Sequence, residues 1–423
     1  MSVGSDRNVQ APVATKRRAG IDRDRLVRLA DWLVVAVAVS LPWSTSATSI
    51  LIVLWLAALV PTLDVAMVTR EVRTAAGGLP LLLFALAALG MLWADVDWNE
   101  RVTGVLAFHK LLVIPLLLAQ FRRSGNGTRV ISGFFVALLV LLVVSFVLTF
   151  LQSLPWRGQG SVGVPVKDYV AQSGFFAICV FGLLGQAIEL WREGRRPLAL
   201  AAMALAALFL GNIVYVATGR TALVVMAVLL IALFSRDLGR KGVLVAALVV
   251  LVIGALAWMS SDYLRGRVTE LGSEVEAYRS TGQVTSAGLR LEYWKKAMTF
   301  IAEAPLIGHG TGTVRKLFQQ TATGTRETTW DITVNPHNQT LAVAIQLGSV
   351  GLAVLIAMWI AHLLLFREQT LIAWFGFIIV MQNIVSSQFN SHLFDFTQGW
   401  LYVFGVGVCG GTLLNRLQAK SEH

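Results

Sequence analysis

The sequence predicts an all-α, polytopic membrane protein of about twelve transmembrane helices with one large extracytoplasmic loop. Three observations carry that prediction. Of 423 residues, 56% are hydrophobic and only 14% charged, against roughly a quarter charged in a soluble domain, and mean hydropathy is +0.68. Apolar runs of about 17 to 25 residues, long enough to cross a hydrocarbon core as helix, recur along nearly the whole chain. The runs are continuous, without the short alternation of barrel strands, so each must satisfy its backbone hydrogen bonds within itself.

Residues 1–28 form a basic tail (Arg7, Lys16, Arg17, Arg18, Arg23, Arg25, Arg28) before the first apolar run. No small-residue cleavage site follows, so the segment reads as an anchor that stays attached. Nine spans are expected within 29–259, at 29–44, 49–68, 79–94, 104–120, 130–151, 170–191, 198–217, 221–234 and 243–259. A loop covers 260–338, three spans follow within 339–415, at 340–365, 370–385 and 398–415, and residues 416–423 form a second tail. The shorter spans extend into their polar flanks.

The net charge of +11 acquires meaning from its distribution. Alternating the loops between two sides puts Arg70, Arg73, Arg122, Arg123, Arg129, Arg192, Arg195, Arg196, Arg236, Arg240, Lys241 and Arg367 with both tails. The short loops opposite hold Arg101, Arg157, Lys167 and Arg220. The positive-inside rule therefore makes both termini cytoplasmic, and the basic charge is a topology signal, not a nucleic-acid surface. Cys179 and Cys409 fall inside spans and read as small packing residues rather than a disulfide framework.

Within the 260–338 loop, Ser261 and Asp262 are helix caps, followed by Leu264, Val268, Leu271, Val275 and Tyr278 at spacings of four and three. Leu289 to Ala304 repeats the arrangement with Leu291, Trp294, Met298 and Ile301 and stops before Pro305. Both are predicted as amphipathic helices on the membrane surface or over a cavity. The remainder, with Gly308, Gly310, Gly312 and then Thr321, Thr323, Thr325, Thr328 and Thr329, reads as loop.

Among candidate functional groups, Asn335-Pro336-His337-Asn338-Gln339-Thr340 stands at the outer entrance to the tenth span. Pro336 biases the chain before it to extended backbone, so His337 falls near a helix start. An imidazole titrating near pH ~6.5 suits a proton acceptor or donor; capping the helix at the interface is the other use open to it. Arg220, in the tight Ala217-Thr218-Gly219-Arg220-Thr221 connection, sits where topology gives arginine no purpose. Arg265, Arg267 and Arg290 lie in or beside the two surface helices. Converging guanidinium forks would bind a lipid diphosphate without a metal; snorkelling to ordinary head groups is the alternative.

His109-Lys110 lies inside the fourth span, where an ionisable pair faces a cavity or partner more often than lipid. His392, Asp395 and Gln398 cluster before the last span, as substrate contacts or as a solvated loop. His309 reads as structural, His362 as an interface residue, and Asp95, Asp97 and Glu100 as an acidic loop without metal-site spacing. No Walker-type loop or zinc spacing occurs, which argues against ATP-driven transport.

In Thr218-Gly219-Arg220-Thr221-Ala222-Leu223, Gly288-Leu289-Arg290-Leu291-Glu292-Tyr293-Trp294, Pro305-Leu306-Ile307-Gly308-His309-Gly310, and Asn335-Pro336-His337-Asn338 leading into Leu347-Gly348-Ser349-Val350-Gly351-Leu352, the chain resembles the bacterial O-antigen ligases. More broadly, it resembles the superfamily they share with O-antigen polymerases and pilin-modifying oligosaccharyltransferases. The motifs span residues from about 200 to 360, and their order and placement carry the likeness. The resemblance implies a GT-C-like, inverting, metal-independent glycosyltransferase of the inner membrane, with a periplasm-facing site and no cofactor. The donor would be O-polysaccharide on undecaprenyl diphosphate and the acceptor a sugar of the lipid A core.

On that resemblance, His337 activates the acceptor hydroxyl, Arg220 and Arg290 hold the diphosphate with Arg265 as a third candidate, and Asn338, His392 and Asp395 are candidate acceptor contacts. A single large loop and a short C-terminal tail favour ligase over polymerase or protein-modifying transferase. A lipid-linked glycan flippase, which would use charge within the bundle such as Lys110, is the alternative from another class.

Overall fold

An apolar run in lipid has no partner for its backbone but itself, and the predicted spans coincide with helix over most of their length, although 49–68 and 104–120 each run across two helices. The structure, a computed structural model, describes residues 22–151, 162–281, 285–322 and 333–421. Most of the predicted N-terminal tail, Arg157 and the threonines from Thr323 to Thr329 lie outside these residues.

The helices are α1 (Arg23–Ser40), α2 (Thr45–Leu59), α3 (Val65–Val72), α4 (Ala75–Leu89), α5 (Trp98–Leu106), α6 (Val113–Arg123), α7 (Gly127–Phe150), α8 (Tyr169–Arg192), α9 (Arg196–Tyr215), α10 (Arg220–Leu238) and α11 (Arg240–Ser260). The large loop adds α12 (Asp262–Thr281), α13 (Ser286–Glu303) and α14 (Val314–Gln320), and the chain closes with α15 (Gln339–Leu365), α16 (Leu371–Ser386) and α17 (Phe396–Ser421). Among the described residues there is no strand.

Among the described residues, six helices are long and apolar enough to cross a membrane, or eight if each of two bent pairs, α3 with α4 at 84° and α5 with α6 at 46°, is one span. The fourth predicted span is one of these broken segments, interrupted by a 3-10 turn over His109–Leu112. α17 is glycine-rich and buried from Thr397 to Leu413. A Cβ on Gly407 would lie 2.3 Å from the Leu117 side chain, so α6 and α17 approach closely only because that position has none. α8 is likewise buried along most of its length.

At one end, loops that charge assigned to a common side do meet. Arg23 and Arg123 both donate to the Thr62 carbonyl, each at 3.0 Å, and Arg70 and Arg122 pair with buried Glu71 at 2.9 and 3.1 Å. His362, expected at an interface, is instead fully buried between helices, with its Nδ1 2.6 Å from the Tyr402 hydroxyl and its Nε2 2.9 Å from the Ala76 carbonyl. Cys179 and Cys409 are buried free thiols.

At the other end the large loop folds back onto the bundle. Both predicted amphipathic helices form, and Ser261 Oγ caps α12 by accepting from the Leu264 N–H at 3.1 Å. On α13 the inward face is Tyr293, Ala297 and Phe300, packed on Val314, Leu317, Phe318 and Ile345. The expected stripe is rotated: Leu291 and Met298 are 39% and 59% exposed. Apolar residues occupy two faces of this helix, and periodicity alone does not choose between them. The segment read as loop also contains α14, whose Phe318 meets the rings of Tyr293 and Phe300 edge-on at 5.5 and 5.3 Å.

The turn at Pro305–Gly310 is spliced into α15. Gly348, at φ +61°, breaks the helical backbone, and the turn takes over the orphaned hydrogen bonds. His309 and Gly310 donate to the Ile345 and Gln346 carbonyls at 2.9 and 3.0 Å, while Ser349 and Val350 donate to Pro305 and Leu306 at 2.8 and 3.2 Å. A Cβ at Gly348 would come within 2.3 Å of the Leu306 carbonyl, and one at Gly308 within 2.5 Å of the Gln346 backbone, so glycine is required on both sides. His309 completes the join with Nε2 2.7 Å from the Phe300 carbonyl, the structural use expected of it.

Candidate functional site

The site assembles where α8, α10, α12, α13 and the start of α15 converge. Gly219 precedes α10, and a Cβ there would lie 2.3 Å from Ser173 Oγ, so this connection presses directly on α8. Arg220, the first residue of α10, then reaches α12. Its Nε donates to the Arg267 carbonyl at 2.9 Å and its Nη2 to Glu274 and Glu270 at 2.8 and 3.2 Å.

Glu274 is the joint between the two loop helices. It also accepts from the Ala287 N–H at 2.9 Å at the start of α13. Burial alone would raise its carboxyl pKa, but the Arg220 and Ala287 hydrogen bonds and the fields of Arg220 and Arg267 outweigh that and hold it below the ordinary value. Gly288 packs on the Tyr278 ring, and Tyr278 donates to Glu292 at 2.8 Å, which fixes the rotation of α13.

That rotation presents Arg290. Its guanidinium is half-buried and makes no hydrogen bond or ion pair among the described residues, although it lies in the fields of Tyr169, Arg220 and Glu274 and acts in turn on His337 and His392. Arg267 stands nearby, donating to the Tyr169 hydroxyl at 3.0 Å with its guanidinium 5.0 Å from that ring. An unpaired, partly desolvated cation is costly unless an anion joins it.

His337 occupies left-handed backbone, φ +52°, an uncommon conformation for a residue with a side chain. Asn335 Oδ1 stabilises it by accepting the His337 N–H at 2.8 Å. The ring stacks on Tyr293 at 6.1 Å and 17°. Its Nδ1 lies 3.2 Å from Asn390 Oδ1, which also accepts from the Asn335 amide at 2.7 Å and the Ser391 N–H at 2.9 Å. Those donors fix the amide's orientation, so Nδ1 must carry the proton and Nε2 keeps its lone pair. Burial and the Arg290 guanidinium push the imidazole pKa below its ordinary value, against a smaller upward effect of Asn390. The ring is therefore neutral at pH 7.

The other predicted residues fall elsewhere. Arg265 donates to the Trp258 carbonyl and to the Met259 carbonyl at 3.1 Å and pairs with Asp262, so it finishes α11, with no contact to Arg220, Arg290 or His337. Asn338 caps α15, accepting from Thr340 and Leu341 N–H at 2.9 and 3.1 Å. His392 is buried, 2.6 Å from Ser386 Oγ, and burial pushes its pKa down. Asp395 caps α17 by accepting from the Thr397 N–H at 2.8 Å and also lines an open cleft.

Lys110 donates to the Phe394 and Asp395 carbonyls at 3.0 and 2.7 Å, tying down the loop that carries Asn390. The Lys167 ammonium is buried without a hydrogen-bond partner, 5.7 Å from the Phe396 ring. Among the described residues no three metal-ligating side chains gather. Sequence reasoning missed Asn390, Tyr169 and Glu274, which no local motif marks, and quoted Tyr293 only as a member of the Arg290 motif.

Fold and site together define a polytopic helical membrane protein with a neutral histidine, its Nε2 unprotonated, beside an arginine group able to take an anion. Residues 204–356 match the family model described as O-antigen ligase, so this part of the chain is similar to that family. The matched segment contains Arg220, Arg290, His337, the spliced turn and the break at Gly348. No curated protein matches the chain.

Proposed function

We propose that the protein is an O-antigen ligase of the bacterial inner membrane. In this reading it has twelve spans in a GT-C-like arrangement, both termini cytoplasmic and its site facing the periplasm. It moves O-polysaccharide from undecaprenyl diphosphate to a sugar of the lipid A core by inverting displacement. The observation that carries the reading is the unpaired Arg290 guanidinium beside His337, whose Nδ1 is committed to Asn390.

His337 Nε2 takes the proton from the acceptor hydroxyl as its oxygen attacks the anomeric carbon. The bond from that carbon to the diphosphate oxygen breaks, and its electron pair leaves with the diphosphate. Arg290 and Arg220 stabilise the charge that grows there, so electrostatic complementarity and positioning supply most of the acceleration. Arg267 is a further cation within this group. The bond broken in the donor drives transfer, and no nucleotide is needed.

The test is transfer from an undecaprenyl-diphosphate glycan to purified lipid A core in detergent by the native protein and by His337→Ala. Native transfer falling by about 10² to 10⁴-fold in the variant, with donor binding kept, is expected. Lengthening of the lipid-linked glycan instead would make the protein a polymerase. Movement of the lipid across vesicles without transfer would make it a flippase.

A further inference from the structure

The amides that hold His337 have a second face. Asn335 and Asn390 line a cleft of about 500 Å³, bounded also by Asn99, Glu100 and Thr103 of α5, Arg315 of α14, and Asp395. That volume lies in the range of small-molecule sites, about 300 to 1,000 Å³. The cleft exists because α5 and the segment before α14 touch through backbone: a Cβ on Gly104 would lie 2.6 Å from the Gly312 nitrogen. The segments meet there, and the side chains on either side of the contact frame the opening.

Its lining differs in kind from the arginine group and shares no residue with it. Glu100 and Asp395 face one Arg315, so the cleft offers no surplus of positive charge for a phosphate. Carboxylate and amide oxygens accept from hydroxyls, amide N–H groups and the guanidinium donate to them, and the Phe394 ring offers an apolar face. Such a set suits a polyhydroxylated ring with one C–H face.

We propose that this cleft holds a sugar of the acceptor next to the one that reacts at His337 Nε2, with Asn99, Glu100 and Asp395 receiving its hydroxyl hydrogen bonds. The proposal rests on the glycosyl-transfer reading and deepens it. The diphosphate belongs to the arginines, the acceptor to the cleft, and His337 is joined to both, through the field of Arg290 and through the Asn390 hydrogen bond.

Thr103 is exposed in the cleft and the native cysteines are buried, so Thr103→Cys in the full chain introduces one reactive thiol. Saturating lipid A core oligosaccharide is expected to slow its maleimide labelling about ten-fold, and the undecaprenyl-diphosphate donor to leave it unchanged. In transfer assays, Glu100→Gln is expected to raise the acceptor KM about ten-fold with little change in donor KM. Labelling that ignores the acceptor, or responds to the donor instead, while the native protein transfers glycan, would overturn the acceptor site and leave the ligase reading standing. Protection by the oligosaccharide without any transfer would keep the cleft as a sugar site and remove the ligase reading. Neither protection nor transfer would remove both.

Discussion

His337 is held by contacts to each part of the residue: Asn335 to its backbone, Asn390 to Nδ1 and Tyr293 to the ring face. Asn390→Leu should therefore leave the fold intact but release the tautomer, and transfer is expected to fall by about ten- to a hundred-fold, with donor KM nearly unchanged. Arg290 acts on the same ring from a distance. Because the guanidinium and burial lower the His337 pKa, the basic form persists to pH values below the ordinary ~6.5. Removing the charge raises that pKa, so Arg290→Gln should move the acidic limb of the pH–rate profile upward while weakening donor binding. A profile that stays in place would separate Arg290 from His337. Arg220, Arg265 and Arg290 look alike in sequence, but the first is paired with glutamates, the second finishes a helix, and the third has no ion-pair partner among the described residues.

The helices of the large loop are positioned by the splice between the Pro305–Gly310 turn and α15. Gly348 has positive φ and a backbone carbonyl within 2.3 Å of where a Cβ would stand. Gly348→Ala should therefore cost about 1 to 3 kcal/mol from backbone strain alone, measured as lower thermal stability in detergent, with transfer reduced because Phe300, Phe318 and Tyr293 lose their seat. The capped start of α12 and the extent of α13 were legible from Ser261 and from the stop before Pro305. The inward face of α13 was not, because two apolar stripes satisfy one helical period and only the partner surface, α14 and Ile345, selects between them.

Across the whole molecule, Glu274 ties the loop helices to the bundle through Arg220. Its folded pKa is depressed, so the stabilisation is fully present above the ordinary carboxyl value of about 4.3 and is lost as pH falls through the lowered value. Hydrogen exchange in α12 and α13 should rise in that acidic window in the native protein, and Glu274→Gln should show the raised exchange already at pH 7. The predicted orientation carries its own check: tags at both termini should be accessible from the cytoplasmic side only, and a thiol introduced at Thr103 from the periplasmic side.

Hydropathy and periodicity determined by themselves that this chain is helical, where its apolar segments run and which two helices decorate the large loop, because each depends on residues within a few turns of one another. The short motifs also named Arg220, Arg290 and His337. Tertiary structure alone decided what those residues meet. His337 and Asn390 are 53 positions apart and Arg220 and Glu274 54 apart, and no local period encodes such distances. The bend at His109–Leu112, the break at Gly348 and the cleft beside Asn390 likewise arise only when segments with good local helices must share one interior, where backbone contact and unsatisfied hydrogen bonds decide which of them yields.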